Sequence, residues 1–179
     1  MIMPRSQQPI EGENIIRERI SDLESPALIL DVGAGDGKWG RLLSNKMHLV
    51  CGIEVWKRNI ETNVLDDIYW KVINEDMRNL PVIFYKLFDA IILGDVLEHV
   101  ERTDALLVIE RLKQSGTETY LTLPISACPQ DGAVYGNPFE THLDQWTHEE
   151  LAELGWKQLH EGMNEAGTVA IGTYVLNEK

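Results

Sequence analysis

The stretch Leu28-Ile29-Leu30-Asp31-Val32-Gly33-Ala34-Gly35-Asp36-Gly37-Lys38-Trp39-Gly40 decides the fold. A short apolar run ends in an acid, glycines follow at positions 33, 35 and 37, and a helix-like segment begins at Lys38. Glycine has no Cβ, so the backbone can turn through positive φ and approach a ligand closely. An apolar strand running into such a turn and then a helix is how open α/β sheets build a nucleotide pocket at the carboxyl edge of the strands. The stretch predicts a mainly parallel sheet with a cofactor seated at this turn.

The glycines alone leave the cofactor open. Gly35-Asp36-Gly37-Lys38-Trp39-Gly40 also fits the G-x-G-x-x-G dinucleotide pattern. Glu54 lies where an acid would grip a ribose under either reading. The decision comes from the segments around the turn.

Upstream, Ile15, Ile16, Ile20 and Leu23 recur at helical spacing across Glu11 to Leu23, which predicts an amphipathic helix closed by Ser25-Pro26. Residues 1–9 are polar, proline-punctuated and expected to be loose. Downstream, strand and helix signals alternate: a strand at 49–55, a helix from Lys57 to Leu65, a strand at 69–73, and another at 88–95. A helix from Thr103 to Gln114 follows, with Leu106, Leu107, Ile109 and Leu112 expected inward, and then a strand at 119–124. The helix that opens at Lys38 is expected to reach Met47. Continuous apolar runs are the mark of strands buried on both faces, and their alternation with helices predicts a parallel sheet covered on both sides.

After Pro124 the pattern changes. Residues 125–146 carry Pro129, Gly132, Gly136 and Pro138 without a period, and loops this long in compact domains are usually functional or disordered. Thr147 with Glu150 three residues on forms a capping box for a short helix ended by Gly155. Two strands, near 156–161 and 169–176, are close enough in sequence to pair antiparallel. The expected architecture is a three-layer αβα sandwich, a seven-stranded mainly parallel sheet with a C-terminal antiparallel strand, in one domain over residues 1–179.

Composition narrows the partners. A net charge of −13 repels phosphate backbones at long range and argues against a nucleic-acid partner. Lys57-Arg58 and Arg111-Leu112-Lys113 read as ordinary helix surface. Neither a membrane-length apolar run nor a secretory leader is visible, so a cytoplasmic location is expected. Cys51 reads as a buried thiol and Cys128 as lying past a strand end, with no zinc spacing between them.

With these pieces in order, residues 10–177 resemble a class I methyltransferase that uses S-adenosylmethionine. The resemblance rests on four strand ends. Asp31-Val32-Gly33-Ala34-Gly35-Asp36-Gly37 is similar to the family's first motif, which wraps the amino-acid part of the cofactor. Glu54-Val55 matches the acid for the ribose hydroxyls, Asp76-Met77 the position beside the adenine, and Asp95-Val96-Leu97-Glu98-His99-Val100 the segment that closes over the methionine end. The resemblance implies cofactor contacts from Asp31, Gly33, Ala34, Gly35, Gly37, Glu54, Val55, Asp76, Met77, Asp95 and Val96. A dehydrogenase reading does not predict Asp76 or the Leu97-Glu98-His99 segment.

The loop after the fifth strand hangs over the transfer site in this family. Asn137-Pro138-Phe139-Glu140-Thr141-His142 carries one candidate base, His142, and His99 is the other, because imidazole exchanges protons near neutrality. Tyr135 and Phe139 are candidates to line an apolar pocket, while Trp39, Trp56 and Trp146 read as packing residues. Glu98, His99, Glu140, His142 and Asp144 have metal-ligand chemistry, but their spacing is no recognised metal signature, and no metal is expected. The reading is methyl transfer to a small molecule. The alternatives are a nucleic-acid or protein methyltransferase, although no Asn-Pro-Pro-Tyr-type segment stands at Asp95, or a non-catalytic binding protein on the same fold.

Overall fold

Alternate residues of a strand point to opposite faces of a sheet, and in the central strands of this chain both sets are apolar. A computed structural model describes residues 11–43, 48–130 and 136–179. Leu30, Val32, Ile91, Leu93, Leu121 and Leu123 enter one core; Ile29, Ala90, Ile92 and Tyr120 enter the other. The strands are therefore sandwiched between two helical layers, as the continuous apolar runs predict.

The strands are β1 (Leu28–Val32), β2 (Leu49–Ile53), β3 (Lys71–Ile73), β4 (Ala90–Gly94), β5 (Glu118–Pro124), β6 (Lys157–Met163) and β7 (Ala170–Leu176). They form one seven-stranded sheet in the order β3-β2-β1-β4-β5-β7-β6. Each neighbouring pair from β3 to β5 is parallel, while β7 runs antiparallel to both β5 and β6. The strand order reverses between β1 and β4, and ligands of open α/β sheets bind at such a switch point, beyond the carboxyl ends of the strands.

Helices α1 (Glu11–Ser21), α2 (Lys38–Leu43) and α3 (Lys57–Asn63) lie on one side of the sheet, with Ile16, Ile20, Trp39 and Leu43 in that core. On the other side lie α4 (Val82–Tyr85), α5 (Arg102–Ser115) and α6 (His148–Glu153). The capping box on α6 is complete: the Thr147 hydroxyl accepts from the Glu150 amide, and the Glu150 carboxylate accepts from the Thr147 amide.

Several expectations need correction. The inward stripe of α5 is Ala105, Val108, Ile109 and Leu112, whereas Leu106 and Leu107 are 38% and 56% exposed. The stripe has helical spacing, and Leu106 and Leu107 are displaced from it by about 100° and 200° of helical rotation. The helix expected to Leu65 stops at Asn63, because Val64 takes a left-handed φ of 52°. The short α4 after Pro81 has no counterpart in the sequence reading. The expected loose segment 1–9, the extension of α2 to Met47, and Tyr135 lie outside the described residues. Among the described residues, no helix is long and apolar enough to cross a membrane.

Candidate functional site

Because β1 to β4 are parallel, their carboxyl ends share one edge, and the four segments singled out by sequence meet there. They surround a cavity of about 630 Å³ that runs from the glycine turn to the segment 136–143. Val32, Gly33, Ala34 and Gly35 form its floor after β1; Glu54 and Val55 after β2; Asp76 and Met77 after β3; Asp95 and Val96 after β4.

The turn itself requires glycine. Gly33 has φ +79°, and a Cβ there would stand 2.5 Å from a Val96 methyl. The Gly33 and Ala34 amides donate to the Ile53 carbonyl at 2.8 Å each, which pins the turn across β2. Gly37 and Asp31 do not line the cavity. Gly37 packs against Leu65 and Ile68. Asp31 is buried behind the turn, where the Tyr69 hydroxyl donates to one carboxylate oxygen and the other has no partner. Burial pushes the Asp31 carboxyl up to about 7, against the opposing Tyr69 bond.

Glu54 is 4% exposed, yet both its oxygens are held: one accepts from the Gly35 amide and the other from the Trp56 amide, each at 2.7 Å. Burial raises its pKa in spite of those amides. A carboxylate offers about four acceptor positions, so Glu54 can take further donors while it fixes both loops. Asp76 is engaged differently. Its carboxylate accepts from the Arg78 amide and guanidinium, and Arg78 also reaches Asp104. Burial pushes the Asp76 carboxyl up, but the Arg78 bonds outweigh it and leave the pKa below its ordinary value.

Asp95 takes a left-handed φ of 55°, and its amide donates to Thr122 O at 2.8 Å. This conformation is tolerated by aspartate and is commonly retained at functional sites. Facing Asp95 is Lys38, which also pairs with Glu13 of α1. Burial works against the Lys38 charge, but Asp95, Glu13 and Asp36 hold its pKa above the ordinary value. The sequence reading missed Glu13 and Lys38 as a pair, since they are 25 positions apart and no local pattern links them.

At the far end of the cavity, His99 and His142 meet edge to face, their ring centroids 4.7 Å apart. The Thr141 carbonyl lies 3.2 Å from His99 Nδ1, and a carbonyl only accepts, so Nδ1 carries the proton in this contact; the Glu140 backbone also hydrogen-bonds the ring. Burial and the neighbouring His142 push the His99 pKa down to about 4, and burial also lowers that of His142. Both rings are neutral near pH 7. Glu98 sits beside them with its carboxyl held well above the ordinary value by burial and by the Asp95 charge. Phe139 lines the same end, Trp146 is fully buried and Trp56 partly so.

Residues 30–120, just over half of the chain, match the family model described as a methyltransferase domain. Among curated proteins there is no significant sequence match. Solved structures with the same fold include TehB from Haemophilus influenzae, at 18% identity and TM-score 0.64 over 95% of this chain. This chain spans 63% of TehB, less than two thirds of its length. The 1,6-didemethyltoxoflavin-N1-methyltransferase of Burkholderia thailandensis, solved with its named ligand and S-adenosylhomocysteine, has 17% identity and TM-score 0.65 over 93% of this chain and 77% of its own. The magnesium protoporphyrin IX methyltransferase of Synechocystis PCC 6803, solved with the methyl donor bound, has 15% identity and TM-score 0.61 over 98% of this chain and 88% of its own. These likenesses bear on the fold, and the match over residues 30–120 bears on the family: this chain belongs to the class I S-adenosylmethionine-dependent methyltransferases.

Proposed function

We propose that this protein transfers the methyl group of S-adenosylmethionine to a small-molecule acceptor bound beneath the segment 136–143. The observation that carries the reading is the continuous cavity, with the glycine turn and Glu54 at one end and the His99–His142 pair at the other. Its volume of about 630 Å³ lies in the range of small-ligand pockets. The neighbours from Burkholderia and Synechocystis are named for small-molecule substrates, and the net charge of −13 disfavours a polyphosphate partner.

The residues fit a cationic cofactor. Glu54, Asp76, Asp95, Glu98 and Glu140 line the cavity, against Lys38 and Arg78. When bound, S-adenosylmethionine supplies an electrophilic methyl group on a sulfonium. Glu54 would accept from the ribose hydroxyls, the Gly33-Ala34-Gly35 backbone would lie along the amino-acid portion, and Asp95 and Val96 would close that end. Because Arg78 occupies the Asp76 carboxylate, we assign the adenine flank chiefly to Met77 and the backbone at Asp76. His99 and His142 present neutral rings that can accept the acceptor's proton or orient its hydroxyl or amine, and orientation is where this reaction class gains most from its protein.

The test is to incubate the protein with methyl-labelled cofactor and three separate pools: small metabolites, nucleic acids and polypeptides. Label is expected in the small-metabolite pool. Label confined to nucleic acid or polypeptide overturns the reading.

A further inference from the structure

Glu98, His99 and His142 each offer a ligand atom, and these atoms all lie within 4.8 Å of one another. Ligands around a cation with bonds of about 2.1 Å stand roughly 3–3.5 Å apart, so small side-chain rotations close the set. Three independent features make this more than proximity. Glu98 is 2% exposed, and neither of its carboxylate oxygens has a hydrogen-bond partner on another residue. A buried acid whose oxygens lack partners on other residues is costly to ionise, and a bound cation would offset that cost.

The histidine geometry supplies the second feature. The backbone of Thr141 and Glu140 hydrogen-bonds the His99 ring, and the Cys128 backbone hydrogen-bonds the His142 ring. Outer-sphere bonds of this kind are how proteins orient metal-ligating imidazoles. The third feature is rigidity. Leu143 and Asp144 donate their amides to the Glu98 carbonyl at 2.8 and 3.2 Å, and the His142 amide donates to Gln130 O at 3.1 Å. The two chain segments are thus laced together by backbone bonds at the point where their side chains converge.

We propose that Glu98, His99 and His142 bind one divalent transition cation, whose remaining coordination positions face the cavity. Two imidazoles and one carboxylate suit manganese, iron, cobalt or zinc better than magnesium or calcium, which prefer all-oxygen shells. The acceptor would be a molecule with oxygen or nitrogen donors adjacent enough to chelate that ion. The acceptor clause rests on the methyl-transfer reading of the cavity, whereas the cation site does not. The absence of a metal signature along the sequence is no obstacle, because the ligands come from two segments, His99 and His142 being 43 positions apart.

The test uses the full chain, freed of metal by chelator and titrated with Co2+, with visible absorption and calorimetry read together. One Co2+ per chain is expected, with d–d bands that report nitrogen and oxygen ligands. His142→Ala and Glu98→Gln should each weaken binding by at least about tenfold. His142 is only partly buried, so His142→Ala is informative even where Glu98→Gln fails to fold, and a thermal melt of each variant checks this. No saturable binding, or binding unchanged in the folded variants, overturns the proposal. S-adenosylmethionine titrated into the same wild-type sample separates the two readings: cofactor binding without Co2+ binding removes the cation site alone.

Discussion

Asp31 holds a carboxyl that the fold keeps away from water. Tyr69 donates to one of its oxygens, the other is orphaned, and burial pushes its pKa from 3.8 up to about 7. As the pH rises, the unfolded chain gives up this proton before the folded one does. The contribution of Asp31 to stability is therefore fully present below about pH 4 and is lost up to about pH 7, at no more than about 1.4 kcal/mol per pH unit. Asp31→Asn keeps an acceptor for Tyr69 and removes the titration. Its melting temperature relative to wild type should climb between about pH 4 and about pH 7 and level off above. A difference that stays constant across that range contradicts the assignment. At this scale the sequence is readable where position follows from strand length: Glu54 and Asp95 fall just past apolar runs, and both line the cavity. Asp31 is readable as a strand-end acid, but its place behind the turn depends on Tyr69, 38 positions away.

The segment 136–146 is an irregular element, held by backbone bonds to Glu98 and Gln130 and by one side chain of α5. Arg102 pairs with Asp144 at 2.6 Å, donates to the Gln145 carbonyl at 2.7 Å and lies 3.9 Å above the ring of the buried Trp146. Replacing it removes a charge-assisted clamp and uncovers the indole face. We expect Arg102→Ala to lower unfolding stability in urea by about 1–3 kcal/mol. A loss below about 0.5 kcal/mol, ordinary for a surface substitution, would show that the segment is held some other way. Helices and strands are legible from their periods, down to the Thr147–Glu150 capping box. The face of α5 is not, because counting leucines favours Leu106 and Leu107, while the small Ala105 completes the buried stripe. The segment 136–146 has no period to read, and the bonds that set it run to Glu98, Gln130 and Arg102.

Across the molecule, the switch in strand order between β1 and β4 gathers four strand-end segments onto one edge, and the acids there give the cavity an anionic cast suited to a cationic cofactor. The parallel strands and the late antiparallel pair follow from the alternation of apolar runs and helical periods, whereas the lateral order of the strands and the short α4 do not, because they are set by packing across the sheet. The histidine end of the cavity is legible only as candidate residues, since their convergence with Glu98 is a tertiary fact. On the proposed function, the glycine turn and Glu54 receive S-adenosylmethionine, and not the dinucleotide that the same glycines also fit. The most direct measurement is calorimetric titration of wild type and Glu54→Gln with S-adenosylmethionine and, separately, with NAD. Saturable one-to-one binding of S-adenosylmethionine alone is expected, weakened about tenfold or more in Glu54→Gln by loss of a charged acceptor. Binding of NAD alone, or S-adenosylmethionine binding indifferent to Glu54→Gln, would contradict it.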